Sequence, residues 1–224
     1  MAARAFLTLV ALLCLGASAS EARTFKPGSA RARWSIKTSV LAGADLAHPK
    51  NVPLDKLLGL GDVPGVSAQD CRFTSVRIPD ALQGLHEGDM IRTKGWVHLV
   101  ACEGDGDYHL QISNSKTSGN QCLVVEMPMD KATFEKDAKL RGLYAKLRPF
   151  LRRELLHDEN KEFSEAGNWM KSEVYMSITG QLFFDDWHVG GEPRGKSPKG
   201  HPGKAATLWE IHPVTDIQFA PKPH

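Results

Sequence analysis

The chain has 224 residues, 42% of them hydrophobic, 24% charged and 8% aromatic, with a formal net charge of +2. That profile belongs to globular proteins and excludes a fibrous, collagen-like or fully disordered chain. The length fits one large domain or two small ones, and so small a net charge argues against a dedicated nucleic-acid packager.

Residues 1–19 read as a secretory signal peptide. Arg4 supplies the positive start, Ala5–Gly16 is a nearly continuous apolar run, and Ala17-Ser18-Ala19 gives an A-x-A cleavage pattern. The run is too short for the ~20 residues a spanning helix needs. Cys14 follows Leu12 and Leu13, where a lipoprotein site would want small residues. The expectation is a secreted or periplasmic protein with a mature start near Ser20 and no transmembrane segment. Cys71, Cys102 and Cys122 then remain, and an oxidising compartment would allow any one of three pairings. No Asn-x-Ser/Thr sequon occurs, which favours a bacterial source.

Residues 20–68 read as an N-terminal extension, broken by Pro49, Pro53, Gly59, Gly61, Pro64 and Gly65, with one short helix at Leu54–Leu60. Residues 69–224 read as one barrel domain. Cys71–Ile78 alternates and predicts a strand. Met90–Cys102 is a long strand candidate with Gly95 as a bulge or bend. Asp105-Gly106 marks a hairpin, Tyr108–Ser113 is the returning strand, and Cys122–Met127 is a third. Asp130 is the predicted N-cap of a helix carrying Leu140, Leu143, Leu147, Leu151 and Leu155 at helical spacing, kinked or split at Pro149. Val174–Phe184 and Thr207–Phe219 predict the last two strands, with Pro213 requiring an edge or a bulge. Gly190–Gly203 is a Gly/Pro/Lys-rich loop. The expected fold class is mainly β (α+β): an OB-like five-stranded Greek-key barrel with one helix between strands three and four, with another small α+β sheet as the alternative for the same element order.

An OB-like barrel would bind ligands beside the loops Glu103–Asp107 and Asp185–Ala205. These loops and the last strand supply the candidate ligand-binding set: Asp105, Asp107, His109, Asp185, His188, Glu210 and His212. Carboxylates and imidazoles are the donor types that hold a divalent metal, and an open coordination position would activate water. The competing structural reading is turn chemistry for the acidic residues at the hairpin tip. No spacing matches H-E-x-x-H, and no G-x-S-x-G elbow is present. A second candidate surface is basic: Lys131, Lys136, Lys139, Arg141, Lys146, Arg148, Arg152 and Arg153 on the helix, and Arg194, Lys196, Lys199, His201 and Lys204 in the late loop. With Trp96, Tyr108, Trp187 and Trp209 as stacking candidates, it would suit an anionic polymer, nucleic acid included. Acidic Glu154–Glu165 cancels much of that field.

Four strings, WSIKTSV (Trp34–Val40), DYHLQIS (Asp107–Ser113), ITGQLFFDDWH (Ile178–His188) and WEIHPVTDIQF (Trp209–Phe219), carry a resemblance across most of residues 34–219. The chain resembles a family of exported bacterial OB-like proteins sharing an Asp-Tyr-His-Leu hairpin and a C-terminal Glu-x-His-Pro-Val strand. The resemblance implies the barrel fold and points to Asp107, His109, Asp185, His188, Glu210 and His212 as recurrent polar positions; it implies no mechanism. The leading expectation is an exported ligand-binding or interaction module. A metal-dependent hydrolase (nuclease or phosphoesterase), a binder of anionic polymer and a structural envelope protein stay open beside it.

Overall fold

A computed structural model of the protein describes residues 33–131, 137–191, 195–201 and 203–223, with Ser172 described by its backbone alone. The predicted signal peptide, together with Lys136 and Arg194 of the basic surface, lies outside the described residues. The elements run α1 (Trp34–Thr38), β1 (Lys50–Asn51), α2 (Leu54–Leu58), β2 (Met90–Cys102), β3 (Tyr108–Ser113), β4 (Gly119–Met127), α3 (Ala138–Leu156), β5 (Asn168–Phe184) and β6 (Gly203–Phe219). Short 3-10 turns occupy Cys71–Phe73 and Asp186–His188.

The protein is mostly β. Its sheet order is β2-β3-β4-β6-β5, and β5 pairs back onto β2, so five strands close into a barrel, with β1 added parallel to the start of β2. All barrel neighbours are antiparallel except β4 and β6, which run parallel. So few strands can close only if they bend sharply, and the register shifts show where they do: between Val97 and Leu99, and between Thr179 and Leu182 opposite Ile211–Asp216. Gly180 is needed at the second bend. A Cβ there would lie 2.5 Å from the Pro213 carbonyl oxygen and 2.9 Å from Val214 Cα. Pro213 thus sits at the predicted bulge, and its peptide bond with His212 is cis. Gly95 allows a close approach rather than a bulge, because a Cβ would meet Leu54 Cδ2 at 2.8 Å.

The core is continuous from residue 52 onward. Leu54, Leu57, Leu60, Val63 and Val66 join Leu110, Ile112, Leu123, Val125, Met176, Ile178 and Ile211 in one apolar cluster. Polar side chains fix this N-terminal segment to β6: Thr207 Oγ1 donates to Leu60 O (2.7 Å) and Trp209 Nε1 donates to Gly61 O (2.9 Å). Further back, Arg33 is buried, with Nη2 2.5 Å from Glu87 Oε2 and Nη1 donating to Phe184 O (2.7 Å). Arg33 Nε also donates to Phe73 O.

Several local expectations are corrected. Cys71–Ile78 is a 3-10 turn and an irregular segment, because its polar groups serve local contacts: Asp70 caps the turn, and Arg72 folds back onto Asp70. The N-cap of α3 is Asp137, accepting from Lys139 N and Leu140 N, rather than Asp130. Pro149 lies inside one continuous α3, which ends at His157 in the left-handed region. All three cysteines are free: Cys71 exposed, Cys102 half-buried, Cys122 buried. Among the described residues, no helix is long and apolar enough to cross a membrane.

Candidate functional site

Alternation along β3, β4 and β6 divides their side chains between two faces. Tyr108, Leu110, Ile112, Leu123, Val125, Met127, Trp209 and Ile211 enter the apolar cluster. His109, Gln111, Glu126, Glu210 and His212 point the other way, yet they too are buried, at 0–2% exposure. The register brings them into one row. His109 on β3 sits opposite Glu126 on β4, and the parallel pairing of Val125 with Ile211 sets Glu126 beside His212 on β6.

Asp107 enters from the hairpin. Gly106 takes φ 90° there, and its amide donates to Glu103 O, while Asp105 Oδ1 accepts from the Asp107 amide. This Asx turn aims the Asp107 carboxylate inward. Its Oδ1 accepts from Met129 N at 3.1 Å, and its Oδ2 stands 3.8 Å from His212 Nε2 without a hydrogen bond.

Glu126 is the hub. Its Oε1 lies 3.0 Å from His109 Nδ1, and its Oε2 lies 2.9 Å from His212 Nδ1 and 2.7 Å from Lys37 Nζ of α1. Glu210 Oε2 is 3.8 Å from His212 Nδ1. At the rim, His109 Nε2 faces Gln111 Oε1 at 3.1 Å. That oxygen also accepts from the Lys196 backbone amide, and Lys196 Nζ reaches Glu103 Oε1 at 3.3 Å. Among the described residues, two ligand trios thus have donor atoms within 4.8 Å of one another: Glu103/His109/Glu126 and Asp107/Glu126/His212.

Burial dominates the electrostatics here. It pushes the Asp107 carboxyl well above the ordinary carboxylate range, helped by the neighbouring charge of Asp105. Burial also pushes His212 down to about 4, with the Lys37 ammonium acting in the same direction. Without a further cation, both groups are driven toward their neutral forms.

Of the seven predicted residues, Asp107, His109, Glu210 and His212 meet in this cluster, and Asp105 serves it through the turn. Asp185 and His188 form a pair of their own, Oδ2 to Nδ1 2.6 Å, at the 3-10 turn after β5. Sequence reasoning missed Glu126, Gln111 and Lys37. Glu126 had a signal, a lone carboxylate in the apolar string CLVVEM; Lys37 had none. The string GGEPRGKS at Gly190–Ser197 also matches the G-x-x-x-x-G-K-S spacing of a phosphate loop. Its surroundings do not: a 3-10 turn precedes it and β6 follows, whereas the phosphate cradle needs a strand before and a helix N-terminus after.

The basic surface is partly turned inward. The Arg148 guanidinium lies 3.5 Å from the centre of the Tyr108 ring, and Arg152 Nη1 donates to Tyr108 Oη, which also bonds Glu162. Trp96, Tyr108 and Trp209 are buried; Trp169 stacks on His201 at 4.8 Å. An open cleft of about 540 Å³ lies elsewhere, between residues 36–42 and 75–87. No protein-family model matches the chain, and no curated protein matches it.

Proposed function

We propose that the protein is an exported OB-like barrel that works as a binding module, with the outer face of β3, β4 and β6 as its ligand face. Support for the fold comes from the strand order β2-β3-β4-β6-β5 closed on β2, the parallel β4–β6 pair and the position of α3 between β4 and β5. OB-folds bind through the face of their second and third strands and two flanking loops. Here that face carries His109, Gln111 and Glu126, and both flanking loops reach it, one through Glu103 and the other through Lys196.

The single observation that carries the function is burial of ionisable side chains on the outside of a barrel, where apolar residues would cover the strands at no electrostatic cost. A hydrolase is the weaker reading, because the cluster carries no H-E-x-x-H spacing and the chain has no G-x-S-x-G nucleophile elbow. An anionic polymer is weaker too, since Arg148 and Arg152 are engaged by Tyr108 and Glu162.

The test is a thermal-shift panel on untagged full chain with Mg²⁺, Ca²⁺, Mn²⁺, Zn²⁺, inorganic phosphate, a short single-stranded oligonucleotide and a short oligosaccharide. A ligand at 100 times its Kd adds about 2.7 kcal/mol of stability. In a chain of this size that raises Tm by roughly 5–10 °C. A shift from at least one member, abolished when Glu126 is replaced by Gln, supports the binding face. No shift from any member overturns it. N-terminal sequencing of the exported protein tests the leader; a mature start near Ser20 is expected, and an intact Met1 would refute export by cleavage.

A further inference from the structure

We propose that Asp107, Glu126 and His212 form a site for a divalent first-row transition-metal ion such as zinc or manganese. This rests on the binding face proposed above and names its ligand. Three donor atoms from different parts of the chain, the hairpin, β4 and β6, lie within 4.8 Å of one another, and all three residues are fully buried.

The second, independent observation is the state of the polar atoms. A buried polar group in a folded protein almost always has a hydrogen-bond partner. His212 Nδ1 stands 2.9 Å from Glu126 Oε2, but Nε2 of the same buried ring has no partner, and neither has Asp107 Oδ2. These atoms face each other across 3.8 Å. That gap is too long for a hydrogen bond. It suits two ligands of one ion, because metal bonds of ~2.1 Å set neighbouring ligand atoms ~3–4 Å apart.

The donor set selects the ion class. Two carboxylates alone would suit magnesium or calcium, which take oxygen ligands in large number; an imidazole nitrogen moves the preference toward zinc or iron, while the two carboxylates keep manganese compatible with the set. The surroundings also resemble a supported metal site. Asp107 is oriented by the Met129 amide, which donates to its other oxygen, as hydrogen bonds behind a metal ligand hold that ligand in place. Lys37 Nζ, 2.7 Å from Glu126 Oε2, stands where a positive charge is wanted and is one-fifth exposed, so it can yield to an entering cation.

The alternative trio, Glu103/His109/Glu126, is the built-in control. Its His109 already has partners at both ring nitrogens, in Glu126 and Gln111. Untagged full chain, stripped with chelator, is titrated with Zn²⁺, Mn²⁺, Mg²⁺ and Ca²⁺ by calorimetry, and Co²⁺ is added as a visible-absorbing probe. Wild type is expected to take one equivalent of Zn²⁺ or Mn²⁺ at least tenfold more tightly than Mg²⁺ or Ca²⁺. Asp107→Asn and His212→Gln are each expected to lose at least 100-fold in affinity and the ligand-field absorption of bound Co²⁺. Glu173→Gln, a half-exposed carboxylate paired with Lys116 and Lys222, is expected to bind as wild type does. Circular dichroism and urea midpoints confirm that each variant is folded; if His212→Gln fails to fold, Asp107→Asn, which keeps the side-chain shape, decides alone. Loss of binding in Glu103→Gln with retention in Asp107→Asn overturns the inner site while leaving the binding face intact. The same holds if no divalent ion binds but another member of the thermal-shift panel does. No response to any of them overturns both.

Discussion

Replacing Glu87 by Gln should destabilise the protein by about 3 kcal/mol. The Glu87 side chain is wholly buried and fully used: Oε2 faces Arg33 Nη2 at 2.5 Å and accepts from Ile78 N at 2.7 Å, while Oε1 accepts from Phe184 N at 3.0 Å. Gln keeps the shape but puts an NH2 group among three donors and removes the charge that faces a guanidinium only 3% exposed. Breaking a buried pair from one side costs about 3–5 kcal/mol, because the other charge is left uncompensated. Arg33 would keep Phe184 O, Phe73 O and Asp186 Oδ1 at 3.4 Å, which places the cost toward the lower end. With a urea m-value of ~2 kcal/mol/M, that is a midpoint drop of roughly 1.5 M at unchanged slope. Urea denaturation followed by tryptophan fluorescence reads it. Adding Arg33→Gln and the double variant completes a cycle whose coupling should exceed ~1.5 kcal/mol. A midpoint drop under ~0.5 M for Glu87→Gln would show that water reaches the pair, and the pinned N-terminal segment would have to be abandoned.

Gly180→Ala should cost about 1–3 kcal/mol or prevent folding, because the new methyl meets backbone of Pro213 and Val214 that the closed barrel cannot move; a variant with wild-type stability by the same assay would contradict the close β5–β6 approach. Lys37→Met should strengthen divalent-ion binding on the order of tenfold by removing a competing charge beside Glu126, as calorimetry would show; weaker binding would mean that Lys37 supports the site. The remaining prediction concerns acid. Burial holds His98 below its ordinary value, so the unfolded chain binds its proton more readily than the folded one. The stability it supports is fully present above about pH 6.5 and declines as pH falls through the lower folded value. Comparing urea midpoints of wild type and His98→Gln from pH 7 to 5 tests this; an identical decline in both would refute it.

The barrel strands were readable because alternation is a local property. Tyr108–Ser113 and Thr207–Phe219 show it in one chain segment, and Asp105-Gly106 announces the turn before the first of them. Alternation misled at Cys71–Ile78, where Arg72 is engaged by Asp70 and Arg77 by Ser39 O and Gln181 Oε1. The helix start shifted to Asp137 because either Asp precedes an apolar-periodic run, and only the capping geometry separates them. At the site, Asp107, His109, Glu210 and His212 were legible as titratable residues clustered near turns and on one strand face. Their meeting was not, because it depends on the parallel β4–β6 register, which no local pattern encodes. That register makes Glu126 the hub. Lys37 could not be read at all, since its carboxylate partner is reached only through the tertiary path of the N-terminal segment.

The pinning of Arg33 also sets an order of assembly. Two of its partners, Phe184 O and the Asp186 carboxylate, lie 151 and 153 positions further along the chain. Arg33 is therefore made well before its partners, and the clasp can fasten only after β5 is in place. Until then Lys37 has no fixed route to Glu126. The cluster of Asp107, Glu126 and His212 is complete only when β6 joins β4, with Lys37 of α1 held beside Glu126.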